Sequence, residues 1–258
     1  MLSLPIPSRQ APLSYGDLRF DDGTSIGPLV NDLTRGRIPA HYRAHLDPDL
    51  NTASIHRPPG WRPLFGQADA AARHLIRQGV GVGDLFLFFG WFRPAECHAG
   101  TWRYVPRSAS FHAIFGWLNV GEHHDVDAAP NDVRARAGRH PHFSGLEAKT
   151  NHVFVAADRY RIAGRSLPGG GVFRFAPHRV LTEAGGNRST WLLPAWMHPS
   201  RGVAELSYNR KPGLWEAVDD LRCRVRVASK GQEFVLTGAR AADVQSWLVK
   251  VFGELDED

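Results

Sequence analysis

Val80-Gly-Val-Gly-Asp-Leu-Phe-Leu-Phe-Phe-Gly-Trp-Phe92 is the stretch on which the reading of the fold turns. From Leu85 onward no charged residue interrupts it, so the in-out alternation of a half-covered strand is missing. The run predicts a strand buried on both faces. Gly79, just before it, predicts the left-handed stop of an Ala-rich helix over 67–78. Further along, His112–Gly121 predicts a second strong strand and His152–Ala156 a third. Residues 163–200, rich in Gly and Pro, predict short strands and tight turns.

Working outward, residues 1–25 and 37–66 read as irregular chain. Between them Ile26, Leu29, Val30 and Leu33 fall at helical spacing and Gly36 can end the helix. Arg222–Ala228 alternates cleanly, and residues 232–236 are expected to pair with it through Ser229-Lys-Gly. A last helix is predicted over 240–252, with Val244, Leu248, Val251 and Phe252 as its apolar stripe. Strands in separate regions with a few flanking helices predict an α+β fold, not alternating βαβ units. The sheet is expected to be mixed and mostly antiparallel, or to curl into a small β-barrel. No linker divides the chain, so one domain over 1–258 is expected, with a frayed tail over 254–258.

The chain has 258 residues, enough to bury a core without disulfide or metal staples. Its 43% hydrophobic and 22% charged content excludes a disordered or fibrous class. No apolar run approaches the ~18 residues of a membrane span. The start lacks the pattern of a secretory signal. Cys97 and Cys223 make neither a disulfide framework nor a zinc knuckle, so a cytoplasmic location is expected. The net charge is +5, and only Lys149, Lys211, Lys230 and Lys250 of the 31 basic residues are lysines. Arginine makes planar contacts to phosphate and stacks on bases. A GC-rich genome would give the same bias.

Chemistry-bearing residues fall into a few groups. His45, Asp47 and Asp49 alternate around Pro48 and would share one side of an extended segment. There they could bind a cation or do acid–base work, or they could make ordinary turn bonds in a loop. His140 and His142 bracket Pro141 and, if extended, project the same way. With Asp47 or Asp49 they would form a two-His-one-carboxylate set for a divalent metal; otherwise they are loop histidines. Arg222, Arg224 and Arg226 share one strand face about 7 Å apart. That face suits nucleic-acid phosphates, or is a solvated face held by carboxylates. Trp91 and Trp117 are candidates for base stacking, though core packing also uses such rings. Gln67 and His74, seven apart in the expected helix, share a face. Of Gln232 and Glu233, one must face inward and find a partner, as an anchor or a base-edge reader. No Walker loop, GxGxxG or GxSxG elbow is present, and Leu167–Val172 reads as a flexible turn.

Six words occur in this order: His45-Leu-Asp-Pro-Asp-Leu50, Gly60-Trp-Arg-Pro-Leu-Phe-Gly-Gln67, Gly81-Val-Gly-Asp-Leu-Phe-Leu-Phe-Phe-Gly90, Phe115-Gly-Trp-Leu118, His140-Pro-His142 and Gly231-Gln-Glu-Phe-Val235. Through most of the chain they resemble the third family of nucleotide-modification-associated domains. The resemblance implies a bacterial or phage protein of a DNA base-modification system, with nucleotide or nucleic acid as partner. Members carry a further N-terminal strand and Gly/Ser-rich loop before the segment that is here Leu2–Pro7, so a first strand is expected to be missing. Gly83-Asp84 before one apolar strand, followed by another ending in Gly121-Glu122, is similar to the core of PUA-like barrels.

The expected function is recognition or processing of a nucleotide in a polar cleft lined by His and Asp. The alternatives are a non-catalytic module for modified bases or nucleic acid, and an interaction partner of another modification enzyme. Convergence of Asp47, Asp49, His140 and His142 would mark the enzyme. An aromatic cage and a basic groove would mark the module.

Overall fold

The computed structural model describes residues 1–201, 204–227 and 233–253. Its central sheet is built from β1 (Leu64–Ala68), β2 (Leu85–Phe92), β3 (Phe111–Asp125), β4 (Asn151–Ala156) and β5 (Gly170–Val172). β3 is 15 residues long and organises the rest. Its first half pairs with β2 on one edge, from Leu85↔Asn119 to Phe92↔Phe111, with a bulge between Phe88 and Phe89. β5 pairs along the same half through Gly170↔Leu118. Its second half takes β4, which in turn takes β1. All these pairs are antiparallel. The sheet curls into a half-barrel, and its pairing does not run round to a closed barrel among the described residues. The α+β expectation holds.

Close backbone crossings allow the curl. A Cβ on Gly169 would lie 1.7 Å from the Ala157 carbonyl oxygen, so no other residue fits there.

A second antiparallel sheet holds β6 (Thr190–Pro194), β7 (Trp215–Ala217) and β8 (Arg222–Arg226), with β8 in the middle. Bridges Ala113↔Val180 and Thr182↔Trp191 tie it to β3. The core between the sheets includes Trp117, Phe173, Trp191 and Val225, closed by Leu248, Val251 and Phe252 of the last helix, Ala241–Phe252. Buried Arg179 holds that helix end: its guanidinium donates to the carbonyls of Val251 (2.8 Å) and Phe252 (2.9 Å). A cation at a helix C-terminus satisfies orphan carbonyls and opposes the dipole. Another core packs Phe65, Phe88, Phe115, Leu118 and Phe154 against Leu75 of the helix Asp69–Arg77.

Several expectations need correction. The helix expected from 67 starts at Asp69, because Gln67 pairs with His152 and Ala68 with Asn151 in β1. Strand pairing overrides the helix propensity of Ala68, and Gln67 and His74 share no helix face. β2 packs against a core on each face, through Leu85, Leu87 and Phe89 on one and Phe86, Phe88 and Phe92 on the other, but only Phe88 is buried, because the strand also lines a cleft. The strand at Leu236–Thr237 pairs with Glu205–Leu206, not with β8, because both edges of β8 are taken by β6 and β7. The Ser229-Lys-Gly turn, Gln232 and the 254–258 tail lie outside the described residues. The His140-Pro-His142 segment is not extended; Pro141–Phe143 forms a 3-10 turn, with Pro141 at its first position. Trp117 is core, donating through Nε1 to the Pro168 carbonyl at 3.1 Å.

His112 sits at the junction of the two sheets, where Trp191 Nε1 donates to its Nδ1 at 2.9 Å. Burial, with Arg188 adding to it, lowers its pKa below the usual value of 6.5. Below that value the unfolded chain takes up a proton that the native ring refuses, so acidification destabilises the fold. From pH 7 to 5 the urea midpoint of the wild type is expected to fall. In His112→Gln the slope of stability on pH should be shallower, by up to about 1.4 kcal/mol per pH unit. Equal slopes would remove His112 from the acid sensitivity.

Candidate functional site

Three distant pieces of chain meet at one carboxylate. Asp47 follows the short strand Arg43–His45, and its Oδ1 accepts from the Gly66 amide of β1 at 2.9 Å. His142 Nε2 lies 3.3 Å from its Oδ2 and His140 Nε2 lies 3.4 Å from its Oδ1. His45 Nε2 lies 3.9 Å from Oδ2. Burial by itself pushes the Asp47 carboxyl up, but the imidazoles around it, led by His140 and His142, hold it well below the ordinary carboxylate range. Burial pushes His142 down, and the neighbouring Asp47 outweighs it, so that His142 titrates above its usual value.

Local structure fixes each ring. Gly66 lies directly under His142: a Cβ there would sit 2.3 Å from the ring Cδ2. Asn151, at the start of β4, donates through Nδ2 to the His142 carbonyl at 3.2 Å. That sets its amide orientation and turns Oδ1 toward His142 Nδ1, at 2.5 Å. Nδ1 therefore carries the proton, and Nε2 is the nitrogen turned to Asp47. His140 is fully buried, and neither of its ring nitrogens has a hydrogen-bond partner.

His45, Asp47 and His142 open onto a cleft of about 1620 Å³, whose lining includes Gln67, Phe65, Phe86, Phe88 and Trp91. His45, Asp47 and His142 are also the group of three, among the described residues, whose ligand atoms lie within 4.8 Å of one another. Their spacing is one that could hold a metal ion. The family model for nucleotide modification associated domain 3 matches residues 1–237. The chain belongs to this family. Neither the curated proteins nor the solved structures contain a match.

In this nucleotide modification associated domain the other sequence-predicted residues are dispersed. Asp49 points away from the cluster into a buried pair with Arg57, both Nη atoms meeting its carboxylate at 2.6 Å. Burial raises its pKa even so, against the pull of Arg57. The arginine face carries paired charge: Arg224 bonds Glu183 and Glu216, and Arg222 bonds Asp219. Arg226 is exposed on the same face, opposite Thr190. Trp91 is 63% exposed and carries the Arg188 guanidinium 4.0 Å above its ring. Gln67 and Glu233 line the cleft. His74 is buried, 3.1 Å from Ser207 Oγ and stacked on Tyr208.

Sequence reasoning missed Gly66, Asn151 and the Phe65–Phe86–Phe88 ring cluster. It also passed over Glu122-His-His-Asp125, whose dense ionisable run was a visible signal. Those residues form a second cluster on β3 and β4: His123 meets His152 at 3.1 Å, and His124 meets Glu122 at 3.0 Å. Arg62 and Arg136 neutralise Glu122. No helix among the described residues is long and apolar enough to cross a membrane.

Proposed function

We propose that this protein recognises and processes a nucleotide in the cleft walled by His45, Asp47 and His142. One observation carries the reading. Ionisable side chains from two separate parts of the chain, His45 and Asp47 from one and His142 from the other, converge on the wall of a large cleft whose apolar lining includes aromatic rings. Rings such as half-buried Phe86 and exposed Trp91 offer flat apolar surface to a base, and stacking tolerates any base. Gln67 adds a donor and an acceptor for a base edge. Arg93 in the lining and Arg188 over Trp91 are cations of the kind that pair with phosphate. Family membership supports nucleotides as the substrate class. The reading as an enzyme, not a passive reader, rests on the convergent His and Asp groups, which a stacking cage alone does not need.

The test is nucleotide extraction from the purified protein, followed by calorimetric titration with nucleoside monophosphates and short oligonucleotides. Trp91→Ala is expected to weaken binding by the value of one stacked base, about 1–3 kcal/mol. Its thermal midpoint should stay near that of the wild type, because the ring is exposed. Absence of both co-purified and titrated nucleotide would overturn the proposal. Binding without any chemical change of the nucleotide, followed by mass spectrometry, would leave the module reading in place of the enzyme.

A further inference from the structure

We propose that His45, Asp47 and His142 bind one divalent first-row transition metal ion at the inner wall of the cleft. Three observations meet there. The first is a conflict of lone pairs. Asn151 takes the Nδ1 proton of His142, so a neutral ring turns a bare Nε2 toward the Asp47 carboxylate, acceptor against acceptor. Only a proton or a cation between them resolves this. A proton shared by the pair belongs at the about 2.7–2.9 Å of a charge-assisted bond; the atoms stand 3.3 Å apart, a separation that leaves room for an ion. Ligand atoms around one ion, with bonds of about 2.0–2.2 Å, are separated by about 2.9–3.5 Å. His45 at 3.9 Å needs a small ring rotation to join them.

The second observation is independent of that pair. His140 is nine-tenths buried or better, has no hydrogen-bond partner, and aims Nε2 at the other oxygen of the same carboxylate from 3.4 Å. A buried imidazole whose nitrogens make no hydrogen bond, and whose one polar contact is this carboxylate, is costly unless the site uses it. The third is the arrangement around His142. A ligating histidine typically hands its second N–H to a carbonyl, which fixes the tautomer and raises the basicity of the ligating nitrogen. Asn151 does this for His142. Two imidazoles and one carboxylate suit iron, zinc and their neighbours, not the all-oxygen preference of magnesium or calcium. The cleft side of the triad stays open, so water or a substrate oxygen can complete the coordination sphere.

Metal binding shares its residues with the nucleotide reading but does not depend on it. The full chain, stripped with a chelator and freed of nucleotide, is titrated with Co²⁺ and then with Zn²⁺. One equivalent of Co²⁺ with visible ligand-field bands, displaced by Zn²⁺, is expected. His142→Ala and Asp47→Asn should lose uptake, and His123→Ala in the second histidine cluster should keep it. Should either variant fail to fold, the wild type still decides: its thermal midpoint should rise with the logarithm of Zn²⁺ concentration. No uptake and no midpoint shift, uptake surviving in both site variants, or a response to Mg²⁺ alone would overturn the proposal. Nucleotide titration of the stripped protein keeps the two questions apart. Metal without nucleotide sinks the proposed function alone, and nucleotide without metal sinks this inference alone.

Discussion

Arg57→Met is expected to destabilise the fold by about 3–5 kcal/mol, the cost of leaving a buried charge without its partner. The Asp49 side chain is 2% exposed and that of Arg57 9%, so water cannot take over when the guanidinium is gone. The loss is compound. Arg57 Nη2 also donates to the Asn51 carbonyl at 2.5 Å and Ser54 Oγ at 2.8 Å, and its plane stacks on Trp61 at 4.0 Å. Removing both charges should be far milder than removing one. Arg57→Met combined with Asp49→Leu is therefore expected to recover most of the loss in a urea melt. Backbone pairing of Asp49 with Leu64 survives either change. A double variant no more stable than Arg57→Met would mean that the pair is not what holds this loop.

Gly66→Ala should take the site apart while leaving most of the fold. The added methyl would sit 2.3 Å from His142 Cδ2 and 2.4 Å from Cγ, so the ring must leave its place. The strain of an extra methyl in a filled space is about 1–3 kcal/mol. Displacing His142 also breaks its bond to Asn151 and its approach to Asp47. Ligand affinity at the cleft is expected to fall about 10–100-fold, the usual penalty for disturbing the supports of such a site. Combining Gly66→Ala with His142→Ala should restore the melting point but not the binding. Wild-type stability and wild-type binding in Gly66→Ala would show that the ring does not rest there.

β3 and the last helix were legible because their signals are local: a long apolar run, and a stripe at helical period. β2 was recognised as a strand packed on both faces, yet nothing in Leu-Phe-Leu-Phe-Phe says that it also lines a cleft. That depends on which elements fail to cover it. The start of the second helix slipped by two residues because cross-strand partners near 151 are invisible to a window around 67. His45, Asp47, His140 and His142 were identifiable as residue types with chemistry. Their convergence is a matter of long-range topology. Asp47 and Asp49 look alike in sequence, and only Arg57 separates the structural carboxylate from the one in the cluster. Gly66 and Asn151 carry no chemical flag, since their roles lie in what they let approach and in how they orient it. Trp91 and Trp117 were equal candidates, and burial sorted them.

The family match ends at residue 237, but the folded unit does not. The helix Ala241–Phe252 supplies Leu248, Val251 and Phe252 to the core that holds Trp117 and Phe173, and Arg179 clamps its last carbonyls. A chain cut at residue 237 would open one side of that core and leave a buried guanidinium without two of its carbonyl acceptors. The span that matches the family model and the span that folds as a unit therefore end at different places in this protein.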